Sequence, residues 1–382
     1  MAARVHEVVR VEASGCYDVV VGRGLIDEVG ERLRAAVPGA DDTVLVVTDE
    51  HVEEHYAERA CASLERAGFS LCCATLPPGE PTKCLDSYMQ LLGLAAELGL
   101  TRSSTVVALG GGVMGDLAGF VAATYMRGCH LVQVATSLLA MVDSSVGGKT
   151  AVDLPQGKNL VGAFYQPDLV LCDLDCLATL PARYVSDGTG EVVKYGAMAD
   201  PELFAWLEQP LAGQEERVVA RCVGIKRDVV QADEREGGVR KLLNLGHTVG
   251  HAIELLGEYR IPHGHAVAAG LAIMARACAA KGWCPQADAA RIEAMLGVHG
   301  LPTGTRFSTR ALYEAALHDK KRSGNHIDVV AVRGVGSSEV RRVSLEEFSE
   351  LIELGCRSAD IVAAEDCEPR EESFDPTHPV EA

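Results

Sequence analysis

Residues 244 to 251, NLGHTVGH, place His247 and His251 four positions apart in an apolar, helix-like stretch. Four residues make about one helical turn, so both imidazoles leave the same face of any helix running through the segment. Taken alone, such a pair more often serves packing than metal binding. Further on, HGHAV sets His263 and His265 ahead of an alanine-rich helical run, and imidazoles at two successive helix boundaries suit a metal site. The spacing resembles the H-x-x-x-H of zinc proteases, but Thr248 stands where their general base follows the first histidine, which excludes that chemistry. A catalytic metal takes about three protein ligands and keeps one position open. The best carboxylate lies upstream in GEVVKYG, which carries Glu191.

A second group of residues suits anions. STVVALGGGVMGDLAGF reads as a strand, a glycine-rich turn and a helix start, and Gly110, Gly112 and Gly115 satisfy G-x-G-x-x-G. That turn lets the backbone approach a pyrophosphate at a helix N-terminus. The acidic residue expected about twenty positions on is missing from HLVQVAT. Asp49, ending a predicted strand, and Glu80, beside Lys83 in PPGEPTK, can stand in for it; a glycine turn used only for tight packing is the alternative. MVDSSVGGKTAVDLPQGKNLVGAF has no clear periodicity and reads as a long loop bearing Asp143, Lys149, Lys158 and Asn159. Gly-Gly and Gly-Lys turns beside lysines suit phosphate binding by amides and ammonium groups, against the plainer reading of a solvated loop.

The elements that must position these groups change character near residue 180. YDVVVG, TVLVVTD, STVVALG, HLVQVAT and DLVLCD are short, continuously apolar runs, the mark of strands covered on both faces in a parallel sheet. Beyond 180, segments 211–233, 240–255, 265–282 and 286–298 read as helices, with IDVVAV the only later strand. The expected fold is an α/β nucleotide-binding domain over 1–179 and an all-α metal-binding domain over 180–356. Residues 357–382, acidic and proline-bearing, read as a disordered tail.

Bulk properties narrow the function. At 382 residues and 48% apolar, the chain can bury the cores of two domains. No apolar run is long enough to span a bilayer and the N-terminus lacks a signal-peptide block, so a cytoplasmic protein is expected. The thirteen cysteines are scattered through apolar stretches and read as free thiols. A net charge of −19 argues against nucleic acid or an anionic membrane as partner. An anionic substrate would then need a local cluster of basic residues.

GGGVMGDLAGFVAATYMRG, VDSSVGGKT, GKNLVGAFYQP, TLPAR, EVVKYG, LLNLGHTVGHAIE and the HG of 263 to 264 occur in this order. From about residue 15 to residue 355 they closely resemble the 3-dehydroquinate synthase family of sugar phosphate cyclases, whose fold is shared with glycerol dehydrogenase. The resemblance implies metal ligands at Glu191, His247 and His263, with His251 facing the substrate region. It implies NAD contacts at Asp49, Glu80, Lys83, Gly112, Val113, Gly115, Asp116, Thr136, Ser137, Lys149, Lys158 and Thr179. Catalytic positions fall on Lys149, Lys194, Lys226, Arg240, Asn244 and His251, and further substrate contacts on Arg127, Asp143, Asn159, Lys320 and Lys321.

The implied activity converts 3-deoxy-D-arabino-heptulosonate 7-phosphate to 3-dehydroquinate and phosphate in the shikimate pathway. Transient NAD oxidation, phosphate β-elimination, re-reduction and aldol closure make up the reaction, assisted by one zinc or cobalt ion in a homodimer. A sister cyclase such as an amino-dehydroquinate synthase, or a glycerol dehydrogenase-like oxidoreductase, is the alternative. The chain departs from the family pattern at His265, usually glutamate, at Ser137, at Asp153 and at Gly190. His265 either alters the groups behind the metal or is an exposed change, and Gly190 is expected to loosen the helix start that aims Glu191.

Overall fold

Uninterrupted valine and leucine runs become strands because both their faces are covered. The computed structural model describes residues 6–318 and 322–357; Lys320, Lys321 and all but the first residue of the expected tail lie outside the described residues. In chain order the first nine strands are β1 (Glu7–Glu12), β2 (Cys16–Gly22), β3 (Thr43–Asp49), β4 (Ser70–Leu76), β5 (Thr105–Gly110), β6 (His130–Ala135), β7 (Lys149–Leu154), β8 (Gly157–Phe164) and β9 (Leu169–Asp173). Seven form one sheet in the order β1-β2-β9-β6-β5-β3-β4. All its pairings are parallel except β1 with β2.

The chain goes from β3 outward to β4, returns to β5 on the other side of β3, and continues outward to β6. This reversal opens a crevice beyond the carboxyl ends of β3 and β5, where α/β sheets take their ligands. Asp49 and Gly110 end those two strands. Helix α1 (Gly112–Thr124) follows at once and runs back along the sheet. A Cβ on Gly115 would lie 2.9 Å from Gln133 Oε1 of β6, so this glycine sets the helix close against the sheet.

The segment expected as a loop over 141–164 is instead a short π-helical turn (Ala140–Ser144) followed by the antiparallel hairpin β7–β8. Its strands pair Lys149 with Phe164 and Ala151 with Gly162. Small residues hide it from a periodicity reading: a Cβ on Gly162 would fall 2.1 Å from the Thr150 carbonyl oxygen. The Asp153 N–H donates to the Lys83 carbonyl at 2.8 Å, tying the hairpin to the sheet half.

The helices that matter beyond residue 180 are α2 (Ala182–Ala199), α3 (Glu215–Ala232), α4 (His247–Leu256), α5 (His263–Ala280) and α6 (Leu345–Gly355). The helix expected over 240–255 is broken: a 3-10 turn covers Val239–Asn244, and Gly246, at φ 80°, redirects the chain so that α4 starts at His247. The all-α expectation is also corrected. β10 (Arg322–Ser323), β11 (His326–Gly334) and β12 (Ser337–Ser344) make a three-stranded antiparallel sheet. SSEVRRVS is polar enough to pass for a loop, yet it alternates and needs only one covered face. Val192 and Val193 of α2 share one core with Leu138, Met141 and Val170 of the sheet half, which fixes the face α2 turns to the crevice.

Candidate active site

Glu191 lies in the middle of α2, whereas His247 and His263 open α4 and α5. Glycines let these three helices approach. A Cβ on Gly190 would lie 2.3 Å from the Gly264 carbonyl oxygen, and one on Gly270 would lie 2.1 Å from that of Gly246. The glycine next to each candidate ligand is thus where its helix meets a neighbour. Gly190 sits two turns inside α2 rather than at its start, so it does not loosen the helix as expected; it permits the contact that faces Glu191 to His263.

Nε2 of His247 and Nε2 of His263 each stand 3.6 Å from Glu191 Oε1, and the ligating atoms of the three residues all lie within 4.8 Å of one another. Glu191 is fully buried. The Lys194 ammonium closes on its Oε2, but neither carboxylate oxygen receives a hydrogen bond of proper geometry from the described residues. A buried carboxylate left in this way, facing two imidazoles, fits a divalent cation: one oxygen and two nitrogen donors are the protein's share of an open catalytic site.

Electrostatics separate the histidines. Burial, with Lys194 nearby, holds His247 well below the ordinary imidazole range. Burial pushes His263 down too, but Glu254, Glu191 and Asp187 outweigh it and raise the ring to about 9. Burial would raise Glu254, yet His263, His251 and Lys158 bring it to about 2. His251 packs edge-on to His247, with ring centroids 5.3 Å apart, and its nitrogen groups with Glu254 and His263 rather than with Glu191.

The lysines that the charge argument required line the same crevice, each beside a carboxylate. Lys226 from α3 lies 2.9 Å from Asp143 Oδ1, and Tyr195 donates to the same oxygen at 2.5 Å. Burial would raise Asp143, but Lys226 and Lys194 hold its carboxyl well below the usual range. Arg240 is buried, donates to the Gly147 carbonyl at 2.9 Å, and leaves Nε with no hydrogen bond among the described residues. Lys149 pairs with Glu236, which also accepts from Asn244 Nδ2 at 2.6 Å.

On the sheet side, Asp49 Oδ2 would lie 3.8 Å from a Cβ on Gly110, beside the glycine turn, while its Oδ1 caps the His51 and Val52 N–H groups. Lys83 bonds Asp116 at 2.6 Å and lies 4.0 Å from Glu80. Thr136 N–H donates to the Gly110 carbonyl, and Ser137 Oγ caps Ala140. Val113 follows Gly112 in the first turn of α1. Lys158 reaches across from β8, 3.5 Å from Glu80 and 3.7 Å from Glu254. Thr179 bonds the Tyr56 hydroxyl at 2.5 Å.

Two expected substrate contacts are not brought to this cluster. Arg127 is exposed beyond the C-terminal end of α1, about 20 Å of helix from the glycine turn and at the other end of the strands. Asn159 is exposed with φ 56°, and the contact it makes is by its backbone N–H, to Asp153. His265 bonds Ser186 Oγ at 3.0 Å, half-buried, and so supports α2 rather than standing exposed. Asp187, Tyr195, Glu236 and Glu254 were not legible as site residues. Glu236 precedes a Gly-Gly pair, a turn signal that does not say which groups face it, and Glu254 ends GHAIE, where nothing in its residue type marks it apart from any surface acid.

A crevice where the strand order of a parallel sheet reverses, set against a Glu-His-His cluster, defines the class, and solved structures agree with it. A 2-deoxy-scyllo-inosose synthase complexed with carbaglucose-6-phosphate, NAD+ and Co2+ is 25% identical with TM-score 0.80, over 91% of this chain and 99% of its own. The 2-epi-5-epi-valiolone synthase of Streptomyces hygroscopicus subsp. jinggangensis 5008, with NAD+ and Zn2+ bound, is 26% identical with TM-score 0.79, over 92% and 99%. The fold is that of the sugar phosphate cyclases. Residues 73–187 match the 3-dehydroquinate synthase N-terminal family and residues 188–322 the 3-dehydroquinate synthase C-terminal family. The 3-dehydroquinate synthase of Caulobacter vibrioides (strain NA1000 / CB15N) is 47% identical over 359 residues, 89% of this chain and 96% of its own. Within the class, the chain belongs to the 3-dehydroquinate synthase family.

Proposed function

We propose that the chain converts 3-deoxy-D-arabino-heptulosonate 7-phosphate to 3-dehydroquinate and phosphate, a carbon-oxygen lyase reaction of aromatic amino acid biosynthesis. The observation that carries this reading is the meeting of Glu191, His247 and His263 beside buried Lys194, Lys226 and Arg240. When bound, NAD+ accepts and returns a hydride, and a divalent ion, zinc or cobalt, lowers the cost of negative charge on substrate oxygen. The NAD+ with Co2+ or Zn2+ in the two solved cyclases supports the same pair here.

In this reading Glu191, His247 and His263 hold the metal. Asp49, Glu80, Lys83, Gly112, Val113, Gly115, Asp116, Thr136, Ser137, Lys158 and Thr179 receive the nucleotide, with Lys149 between it and the substrate. Lys149 and Asn244, held by Glu236, and Lys194, Lys226 and Arg240, ranged about Asp143, hold the carboxylate and phosphate at fixed positions. Preorganised cations in a desolvated pocket favour the departing phosphate more than they would in water. His251, half-buried beside them, is placed to hold or pass a proton at its ring nitrogen. The division at residues 179 and 180, a cytoplasmic location and a homodimer belong to the same proposal.

The experiment is to incubate the purified protein with the heptulosonate phosphate, catalytic NAD+ and Co2+ or Zn2+, following phosphate release and carbocycle formation. Turnover without net NADH is expected. Steady NADH accumulation would indicate a glycerol dehydrogenase-like enzyme, and turnover only with a carboxylate-free sugar phosphate would indicate a sister cyclase; either overturns the reading.

A further inference from the structure

Both imidazoles aimed at Glu191 are tied back through their other nitrogen, but to unlike acceptors. His247 Nδ1 lies 3.1 Å from the Leu245 carbonyl oxygen, a neutral backbone group. His263 Nδ1 lies 3.2 Å from Glu254 Oε2, a carboxylate that is only 4% exposed. A carbonyl oxygen never donates and a carboxylate has no proton to give, so each Nδ1 carries a hydrogen, and Nε2 is the nitrogen left on the Glu191 side to serve as metal donor once it carries no proton. A carboxylate behind an imidazole also makes it a stronger donor than a carbonyl does.

Glu254 divides its two oxygens. Oε2 faces His263 of α5 and Oε1 faces Lys158 of the β7–β8 hairpin, whose ammonium also sits 4.4 Å over the Tyr259 ring. The α4–α5 connection that carries Tyr259 is itself held in an unusual form, with Glu258 and Tyr259 at φ 51° and 59°. One side chain thus touches both a candidate ligand and a lysine on the nucleotide side.

We propose that Glu254 is a positioning residue: it fixes His263 as an Nε2 donor, strengthens that donor, and links it to Lys158. The proposal rests on Glu191, His247 and His263 binding a divalent ion. It concerns a residue whose carboxylate lies behind His263, at the ring nitrogen opposite the one that faces Glu191.

The test uses the full chain with Zn2+ or Co2+ alone, and reads metal affinity by competition with a chromophoric chelator. Glu254→Gln keeps the volume and removes the charge. It is expected to weaken Zn2+ about 10- to 100-fold and to shift the visible absorption bands of the Co2+-loaded protein, whereas Glu254→Asp should recover part of the affinity. Packing alone would leave the Co2+ bands of the glutamine variant unmoved. Wild-type affinity and an unchanged spectrum in E254Q would overturn the proposal. So would a crystal structure of the Zn2+-loaded wild-type chain with His263 Nδ1, or Glu254 itself, on the metal; this holds even if the variants fold poorly. If the wild-type chain binds neither ion, it is the functional reading that fails.

Discussion

Asp187 on α2 caps α5 from outside: its Oδ1 accepts the Gly264 N–H at 2.6 Å and the His265 N–H at 3.3 Å, in the first turn of the helix that starts at His263. The same α2 carries Glu191 one turn later. The cap therefore sets where His263 stands relative to Glu191. Asp187→Ala should lower stability by about 1 kcal/mol, the usual size of a lost N-cap, read as a fall in the thermal unfolding midpoint. It should also loosen metal binding, and Asp187→Asn should lose less of both, because an amide oxygen still accepts.

Glu191→Gln and His247→Ala should lose bound metal and turnover together. Affinity should fall by more than about 100-fold, the upper size for losing even a supporting group, measured by metal content after gel filtration and by phosphate release. A chelator should silence the wild-type protein, and Co2+ or Zn2+ should restore it. Full activity in either variant would refute the assignment.

Gly270 stands where a Cβ would meet the Gly246 carbonyl oxygen at 2.1 Å. Gly270→Ala must push α5 from the start of α4, at a cost of about 1–3 kcal/mol for overpacking. Equilibrium denaturation measures that cost. Since Gly246 precedes His247, metal affinity should fall with it.

Asp143 gives the acid limb. Its carboxyl, against Lys226 and Lys194, titrates well below the ordinary range in the folded chain. A depressed folded value adds stability above the unfolded value of about 3.9, and that stability is lost as pH falls through the folded value. Asp143→Asn should therefore flatten stability against pH below about 4. At neutral pH it should cost about 3 kcal/mol, because Lys226 is left buried without its counter-charge. Denaturant titrations at pH 7 and at pH 3 distinguish the two effects.

Lys149 is half exposed and bridged to Asn244 through Glu236. Lys149→Met should reduce kcat/KM for the heptulosonate phosphate by about 10- to 100-fold, the size of a lost charged hydrogen bond, with little change in the unfolding midpoint. Steady-state phosphate release checks it.

The central strands of the sheet were legible because burial on both faces leaves an uninterrupted apolar run, and β3, β5, β6 and β9 are such runs. β1 and β4 are edge strands, partly exposed, and give no such signal. The hairpin β7–β8 and strand β12 escaped for a related reason: what makes each a strand is a partner across the pair. Glu191 and the histidines His247, His251, His263 and His265 stand out because such residue types are rare in apolar helices, and the family resemblance singles out Glu191, His247 and His263 among them. The supports Asp187, Glu236 and Glu254 are ordinary acidic residues whose meaning lies in what faces them.

Each lysine of the crevice already has a carboxylate of the same chain beside it: Lys83 with Asp116, Lys149 with Glu236, Lys158 with Glu254, Lys194 with Glu191 and Lys226 with Asp143. The lysines of the pocket are therefore largely neutralised within the chain, which is how Lys83, Lys194 and Lys226 stay charged while buried. An arriving substrate that bears a carboxylate and a phosphate then trades one set of ion pairs for another instead of meeting bare positive charge. Dissolved salt should therefore quicken its approach, by screening the repulsion of a chain of net charge −19, and change the exchanges made at contact much less.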